Sequence, residues 1–89
     1  MTYRIILHPD AKESLDEMDK SVRLQILKKI HQLERDDLTS RHLKHGLPFF
    51  VEEPGQYRIC FTIDEAEKTK TVWFAGDHKQ YQKWFSSLK

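Results

Sequence analysis

The chain has 89 residues, of which 38% are hydrophobic, and its 15 Lys and Arg against 14 Asp and Glu give a formal net charge of +1. This length predicts one small domain, residues 1–89, with a single core. The near-neutral charge argues against a protein that coats nucleic acid, because such proteins usually have a strongly basic surface. The lone cysteine, Cys60, excludes an internal disulfide and a cysteine-based metal cluster.

Neither a signal peptide nor a membrane span is expected from the sequence. The first ten residues have a three-residue apolar run and no small-residue cleavage site, so they do not resemble a signal peptide. No apolar run approaches the length of a membrane span. The single cysteine also fits a reducing compartment. These features predict a soluble, cytoplasmic protein.

The N-terminal third begins with a strand and a short helix. Residues 3–7 are aromatic and β-branched, which predicts a short, largely buried strand. Pro9 ends this strand because it has no amide hydrogen to give to a sheet. Asp10 and Glu13 have the spacing of a capping box, and a helix is predicted over residues 11–18.

A second helix has the clearest pattern in the chain. Its apolar stripe repeats at helical spacing and is formed by Val22, Ile26, Ile30 and Leu33, with Leu27 widening it. Asp19 or Ser21 is the expected N-cap. His31 falls at the margin of the stripe and is predicted to lie on the surface. The pattern is typical of an amphipathic helix packed on a sheet.

Three antiparallel strands are predicted after a polar, basic loop at residues 38–46. They cover residues 49–52, 57–63 and 69–75, with turns at residues 54–55 and 64–68. The middle strand alternates, so that Tyr57 and Ile59 face the core while Arg58 and Cys60 face away from it. The last strand is apolar on both sides and is expected to lie centrally. Residues 81–89 predict a further turn of helix.

The resulting order, β-α-α-β-β-β, predicts an α+β fold with an antiparallel-rich sheet and two helices on one face. The opposite face is expected to be open. Arg58 points to it, and the polar residues 76–81 could gather there. This segment contributes an imidazole, an ammonium and a phenol beside the Arg58 guanidinium. Such a group of side chains suits phosphate chemistry.

Two short motifs mark the hairpin of residues 55–81: Gly55-Gln-Tyr-Arg-Ile-Cys-Phe61 on its first strand and Gly76-Asp-His-Lys-Gln-Tyr81 after its second. With these motifs the hairpin resembles the RelE/ParE toxin superfamily. Members show a Gly-x-Tyr-Arg-Ile-x-Phe/Tyr strand, then an apolar strand that ends in Gly followed by His or Arg, with a Tyr a few residues later. The lead-in at Leu43-Lys44 also fits, and the element order matches over nearly the whole chain.

The resemblance implies the toxin of a type II toxin–antitoxin system. RelE-type members are ribosome-dependent endoribonucleases that cut mRNA in the ribosomal A site, inhibit translation during stress, and are held inactive by a small antitoxin. The mRNA 2′-hydroxyl attacks the neighbouring phosphate, which requires a base, an acid and cations around the transition state, but no metal or cofactor. The implied partners are therefore an antitoxin whose amphipathic helix wraps the toxin, the ribosome and mRNA.

The same resemblance implies roles for six residues. Arg58 corresponds to the family's strand arginine, His78 to its basic or histidine position after the glycine, and Tyr81 to its tyrosine; these are the implied catalytic residues. An imidazole can exchange a proton near neutral pH, and a phenol can position it or stack on a base. The implied RNA-binding residues are Lys44, His45 and Lys79.

One departure from the family concerns the strand before Arg58. RelE-type members often have lysines there, whereas residues 49–53 read Phe-Phe-Val-Glu-Glu. Other members use a glutamate as base, so Glu52 and Glu53 are both candidates. A ParE-like gyrase inhibitor, and a weak or inactive relative that only binds an antitoxin, are the alternative functions. The pairing of His78 with Tyr81 favours the nuclease over the gyrase inhibitor.

Structural roles compete with functional ones at several positions. Arg58 could pair with Glu52 or Glu53 across the hairpin, and Tyr81 could seal the edge of the core. Cys60 is expected to be a packed residue because no base is supplied to it. His42 and His45 have the spacing of two ligands of a metal site, but the sequence offers no cysteine or further ligands beside them, so no structural zinc site is predicted. Four aromatic residues near the end of the chain are expected either to lie in the core or to form part of an apolar groove for an antitoxin helix: Trp73, Phe74, Trp84 and Phe85.

Overall fold

A computed structural model describes residues 2–35, 41–42 and 49–87. The elements in chain order are β1 (Arg4–Leu7), α1 (Pro9–Asp16), α2 (Lys20–Gln32), β2 (Arg41–His42), β3 (Phe50–Glu52), β4 (Tyr57–Asp64), β5 (Thr69–Asp77) and α3 (His78–Ser87). The strands form one sheet in the order β1-β5-β4-β3-β2. Strand β1 pairs with β5 in parallel and the other pairings are antiparallel. The predicted α+β fold is therefore confirmed. Strand β2 was not predicted, and the predicted C-terminal turn of helix is part of the longer, ten-residue α3.

Strand β1 lies at the edge of the sheet, beside β5. Its residues alternate between exposed and half-buried, and Ile6 is 47% exposed. The prediction of a largely buried strand was wrong because an apolar run does not reveal whether a strand has neighbours on one side or two. The central position predicted for β5 is confirmed, since β5 lies between β1 and β4.

The β4–β5 hairpin contains a bulge at Trp73. Cys60 pairs with Phe74 and Phe61 pairs with Val72, so that Trp73 has no partner in the register. The extra residue shifts the alternation of β5. The Trp73 indole Nε1 donates a 2.9 Å hydrogen bond to the hydroxyl of Thr62 on β4, which holds the indole against the sheet.

Helices α1 and α2 pack on one face of the sheet. The buried core of this layer contains Ala11, Leu15, Ile26, Ile30, Leu33, Ile59, Phe61, Val72 and Ala75. Most of the predicted α2 stripe is thus buried, and His31 is exposed as expected. Leu27 is 37% exposed, so the prediction that it widens the buried stripe was wrong. Leu27 lies about 100° around the helix axis from Ile26, and this rotation takes it to the edge of the helix surface that the sheet covers.

The helix ends differ from the predicted ones. Helix α1 begins at Pro9, and the N-cap is His8, whose Nδ1 accepts the amide hydrogen of Asp10 at 3.2 Å. The predicted capping box at Asp10 and Glu13 was therefore wrong. Proline at the first helical position has no amide hydrogen to satisfy, which favours the earlier start. For α2 the N-cap is Asp19, one of the two predicted residues, although its side chain makes no capping hydrogen bond.

Helix α3 packs on the opposite face of the sheet. A second buried cluster forms there from Val51, Cys60, Phe74 and Tyr81, with Phe49, Trp84 and Phe85 packed against it. The prediction that this face is open was wrong over this part of the sheet. The C-terminal segment forms nearly three turns of helix, long enough to cover β3, β4 and β5 where they carry apolar side chains.

A capping box fixes the start of α3. The Asp77 carboxylate Oδ1 accepts the Gln80 amide hydrogen at 2.8 Å, and Gln80 Oε1 accepts the Asp77 amide hydrogen at 3.0 Å. Gly76 lies directly beneath the Gln80 side chain: a Cβ at position 76 would come within 2.6 Å of Gln80 Oε1. The hairpin therefore leads into α3 without a connecting loop. His78 becomes the first residue of a helix and not part of a loop.

Candidate active site

A cleft of about 430 Å³ opens where the β4–β5 hairpin meets the start of α3. It is lined by Glu53, Gly55, Gln56, Tyr57, Arg58, Asp77, His78 and Lys79. The strand register explains this grouping: Arg58 pairs with Gly76, and His78 follows two residues later. The cleft thus brings together three of the six residues with implied roles, Arg58, His78 and Lys79. Lys44 and His45 lie outside the described residues.

Arg58 is held by contacts on two sides. Its Cζ lies 4.5 Å from the centroid of the Tyr81 ring, and its Nε lies 3.8 Å from Glu53 Oε1. The side chain retains 28% exposure. A guanidinium stacked on an aromatic face loses little freedom when it binds an anion, because its plane is already oriented. This geometry presents planar N–H donors to any anion that enters the cleft.

Tyr81 lies beneath Arg58 and does not line the cleft. It is 8% exposed, and its ring contacts the rings of Phe74, Trp84 and Phe85. Burial raises the pKa of the Tyr81 phenol, as does the nearby Cys60 thiol, while Arg58 opposes the shift. The phenol therefore stays protonated at neutral pH. Its position serves to support the Arg58 guanidinium and to seal the edge of the core.

His78 is exposed at the rim of the cleft, on the first turn of α3. Its Nε2 lies 3.0 Å from the amide nitrogen Nε2 of Gln82, one helical turn later. An amide nitrogen can only donate, so the imidazole Nε2 accepts this hydrogen bond. The neutral ring then carries its proton on Nδ1. Gln82 had no role in the sequence-based predictions, although the four-residue spacing from His78 places both on one face of a helix.

The side chains of the two candidate glutamates, Glu52 and Glu53, point to opposite faces of the sheet. Glu52 Oε1 is 3.1 Å from Lys29 Nζ on α2, and the Glu52 side chain is only 14% exposed. Glu53 lines the cleft beside Arg58. Glu52 is the last residue of β3 and Glu53 follows it directly, so the two side chains leave the extended chain in opposite directions and only one carboxylate reaches the site. The structure thus places Glu53, and not Glu52, near the other groups.

Asp77 has a structural role that the sequence-based predictions missed. The sequence motif gave Asp77 no role of its own, whereas in the structure its carboxylate caps α3. The signal was present in the sequence, because Asp77 and Gln80 have capping-box spacing. The cap fixes the direction of the first turn and therefore the position of His78.

Cys60 is fully buried below the cleft, in the layer between α3 and the sheet. Burial raises the pKa of its thiol to about 12, although Arg58 opposes this shift. A thiolate is the reactive form of cysteine, so this residue is not a nucleophile at neutral pH. The prediction that Cys60 is a packed residue is confirmed.

Within residues 2–35, 41–42 and 49–87, no three His, Cys, Asp or Glu side chains are grouped so that they could hold a metal ion. None of the helices described there is both long enough and apolar enough to cross a membrane.

The fold is similar to those of solved RelE toxins. A chain of the toxin–antitoxin complex RelBE2 from Mycobacterium tuberculosis matches with a TM-score of 0.79 at 17% identity, over 88% of this chain and 100% of that chain. A variant of the E. coli toxin RelE in the free state matches with a TM-score of 0.75 at 16% identity, over 99% and 96% of the two chains. The archaeal RelE–RelB complex from Pyrococcus horikoshii gives 0.68 at 19% identity, over 86% and 96%.

The protein therefore has the RelE-like fold that its hairpin motifs predicted. No protein-family model matches the sequence, and no curated protein matches it significantly.

Proposed function

We propose that this protein is the toxin of a toxin–antitoxin pair and that its cleft cleaves RNA. The observation that carries the proposal is the grouping of Glu53, Arg58, His78 and Lys79 around one cleft on a RelE-like fold. These four side chains provide a carboxylate, a guanidinium, an imidazole and an ammonium. Together they meet the needs of a cleavage in which the RNA supplies its own nucleophile.

In the proposed reaction, the RNA 2′-oxygen attacks the adjacent phosphorus as Glu53 removes the 2′-hydroxyl proton. The bond from phosphorus to the 5′-oxygen breaks, and His78 gives its Nδ1 proton to that oxygen as an imidazolium, once the Gln82 amide has turned so that its Oε1 accepts the Nε2 hydrogen. The products are a 2′,3′-cyclic phosphate and a 5′-hydroxyl. Arg58 stabilises the negative charge that develops on the phosphate oxygens, since its fork of donors matches two of them.

Two residues support this chemistry from outside the reacting atoms. Tyr81 holds the Arg58 guanidinium in the plane that faces the cleft, so we assign it a positioning role. Lys79 adds a positive charge at the rim, where it would contact the RNA backbone. The sequence also predicts RNA contacts for Lys44 and His45.

The ribosome is the proposed place of action. A net charge of +1 gives an 89-residue chain limited affinity for free RNA, because phosphate contacts dominate such binding. A substrate held in the ribosomal A site would remove the need for a large RNA-binding surface. The solved complexes from Mycobacterium tuberculosis and Pyrococcus horikoshii contain an antitoxin bound to the toxin. We propose an antitoxin partner for this protein as well.

Induced expression with mapping of mRNA ends tests the proposal. The wild type should arrest growth and cut ribosome-bound mRNA, whereas Arg58→Gln and His78→Ala should each lower the cleavage rate by about 10²- to 10⁴-fold. Arg4→Gln is a matched control, because Arg4 is an exposed arginine on β1, outside the cleft. Circular dichroism would verify that the variants fold.

Two other outcomes would contradict the nuclease. Growth arrest with trapped, cleaved DNA and intact mRNA would indicate a ParE-like gyrase inhibitor. No arrest, together with a tight complex with the product of the neighbouring gene, would indicate a relative that only binds an antitoxin.

A further inference from the structure

The near-zero net charge of the chain conceals a separation of charge. Residues 78–89 contain no Asp or Glu, and within them Lys79 and Lys83 lie on exposed positions of α3. The two lysines are four residues apart, so they follow each other on one face of the helix at about 6 Å. Acidic residues are instead concentrated around α1, at Asp10, Glu13, Asp16, Glu17 and Asp19. The exposed surface of α3 is therefore a local basic ridge.

A second concavity lies along α3, next to this ridge. It is a groove of about 420 Å³, lined by Asp10, Ser14, Trp73, Phe74, Gln80, Lys83, Trp84 and Ser87. Its wall on α1 is polar, and its floor contains three aromatic side chains. Lys79 lines the cleft and Lys83 lines the groove, so the basic ridge joins the two concavities.

The aromatic side chains of the groove are held in place by contacts of their own. Trp73 donates its indole hydrogen to Thr62, and its ring lies 4.7 Å from the ring of His8. Trp84 stacks on Phe74 with their centroids 5.1 Å apart at an interplanar angle of 22°. Both tryptophans remain half-exposed. Fixed, half-exposed aromatic rings are suited to stacking against another flat ring.

We propose that this groove binds a base of the RNA strand that the cleft cleaves, with the backbone of that strand running along Lys79 and Lys83. The inference rests on the proposed function and adds a subsite for a nucleotide next to the scissile phosphate. Single-stranded nucleic acids are commonly bound in this way, by a basic track beside aromatic stacking platforms.

The charges of the groove determine which part of a nucleotide enters it. The Asp10 carboxylate on the α1 wall repels a phosphate, whereas Lys83 on the α3 wall attracts one. The backbone should therefore remain on the α3 side, and the base should extend over the aromatic floor. Asp10 and Ser14 could then accept hydrogen bonds from an exocyclic amino group on the base.

Intrinsic fluorescence offers a direct test, because both tryptophans of the chain, Trp73 and Trp84, line the groove. The probe is a 2′-O-methyl oligoribonucleotide of roughly eight nucleotides, at low ionic strength, which the proposed reaction cannot cleave. We expect it to quench the tryptophan emission. An abasic strand with the same number of phosphates should bind about ten-fold more weakly and leave the emission unchanged.

A matched pair of variants tests the basic ridge. Lys83→Gln should reduce the slope of log binding constant against log salt concentration by about 0.7, the value for one phosphate contact of a single strand. Lys12→Gln makes the same charge change on α1, where Lys12 pairs with Asp16 at 3.1 Å, and should leave the slope unchanged. Equal slopes for the two variants would overturn the proposed path.

The outcomes also separate this inference from the proposed function. Cleavage of ribosome-bound mRNA without quenching by the oligonucleotide would overturn the base subsite alone. Quenching without cleavage would support the subsite and count against the nuclease. Quenching by an antitoxin helix but not by the oligonucleotide would assign the groove to a protein partner and overturn the inference.

Discussion

Replacement of Gly76 by alanine should disturb the start of α3 and with it the position of His78. A Cβ at position 76 would lie 2.6 Å from Gln80 Oε1, 2.9 Å from Phe74 Cζ and 3.3 Å from Gln80 Cβ. Real Cβ atoms essentially never approach another atom closer than 3.0 Å, so Oε1 must retreat by at least 0.4 Å. That retreat strains the 3.0 Å hydrogen bond which Oε1 accepts from the Asp77 amide.

The expected loss of folding free energy in Gly76→Ala has two parts. Overpacking against Phe74, which is 7% exposed and cannot move freely, should cost about 1–3 kcal/mol. Loss of the hydrogen bond between Gln80 and Asp77 adds about 0.5–1.5 kcal/mol. We therefore expect Gly76→Ala to lower the free energy of unfolding by roughly 2–4 kcal/mol.

Urea denaturation followed by tryptophan fluorescence measures this change, because Trp84 on α3 and Trp73 on β5 both report on the contact between helix and sheet. A double-mutant cycle with Gln80→Ala provides the control. Removing the Gln80 amide removes one of the two obstacles, so Gly76→Ala should cost about 1 kcal/mol less in that background. The same cost in both backgrounds would refute the reasoning that Gln80 is the obstacle.

Two further predictions concern Glu53 and Cys60. Glu53→Gln should lower RNA cleavage by about 10²- to 10⁴-fold. Glu52→Gln should retain cleavage but cost about 1–3 kcal/mol of stability, because its pair with Lys29 is largely shielded from solvent. Equal cleavage by both variants would remove Glu53 from the mechanism. The pKa of the Cys60 thiol is raised from 9.0 to about 12, so the stability that it contributes is present below pH 9 and is lost as the pH rises towards 12. Urea denaturation at successive pH values should show a steeper alkaline loss for the wild type than for Cys60→Ala, and parallel curves would contradict this.

Local patterns in the sequence were sufficient to predict most of the helices and strands and the β4–β5 hairpin. The repeat of apolar residues in α2 predicted which side of the helix is buried, and three of its four main positions are buried. Alternation in β4 placed Ile59 in the core and Arg58 on the other side. These periods of 3.6 and 2 are properties of the backbone itself, so they can be read without knowledge of the neighbours.

The geometry of the candidate site depended on contacts between distant residues. The sequence left Glu52 and Glu53 as equal candidates, and the pairing of Glu52 with Lys29 on α2 separated them. The sequence also left two interpretations of Arg58 open, an ion pair with a glutamate of the hairpin and a role in catalysis. In the fold, the guanidinium contacts both Glu53 and the ring of Tyr81. Neither contact follows from spacing alone.

The sequence by itself determined the α+β order and brought Arg58 and His78 near each other through the hairpin register. Only the tertiary structure decided that α3 covers the second face of the sheet and that Tyr81 lies under Arg58. It also decided that the basic ridge on α3 joins the cleft to an aromatic groove. The physical reason is that secondary structure follows from local backbone preferences, whereas packing depends on which apolar surfaces meet. An amphipathic segment shows that it must bury one face, but not which surface will cover it.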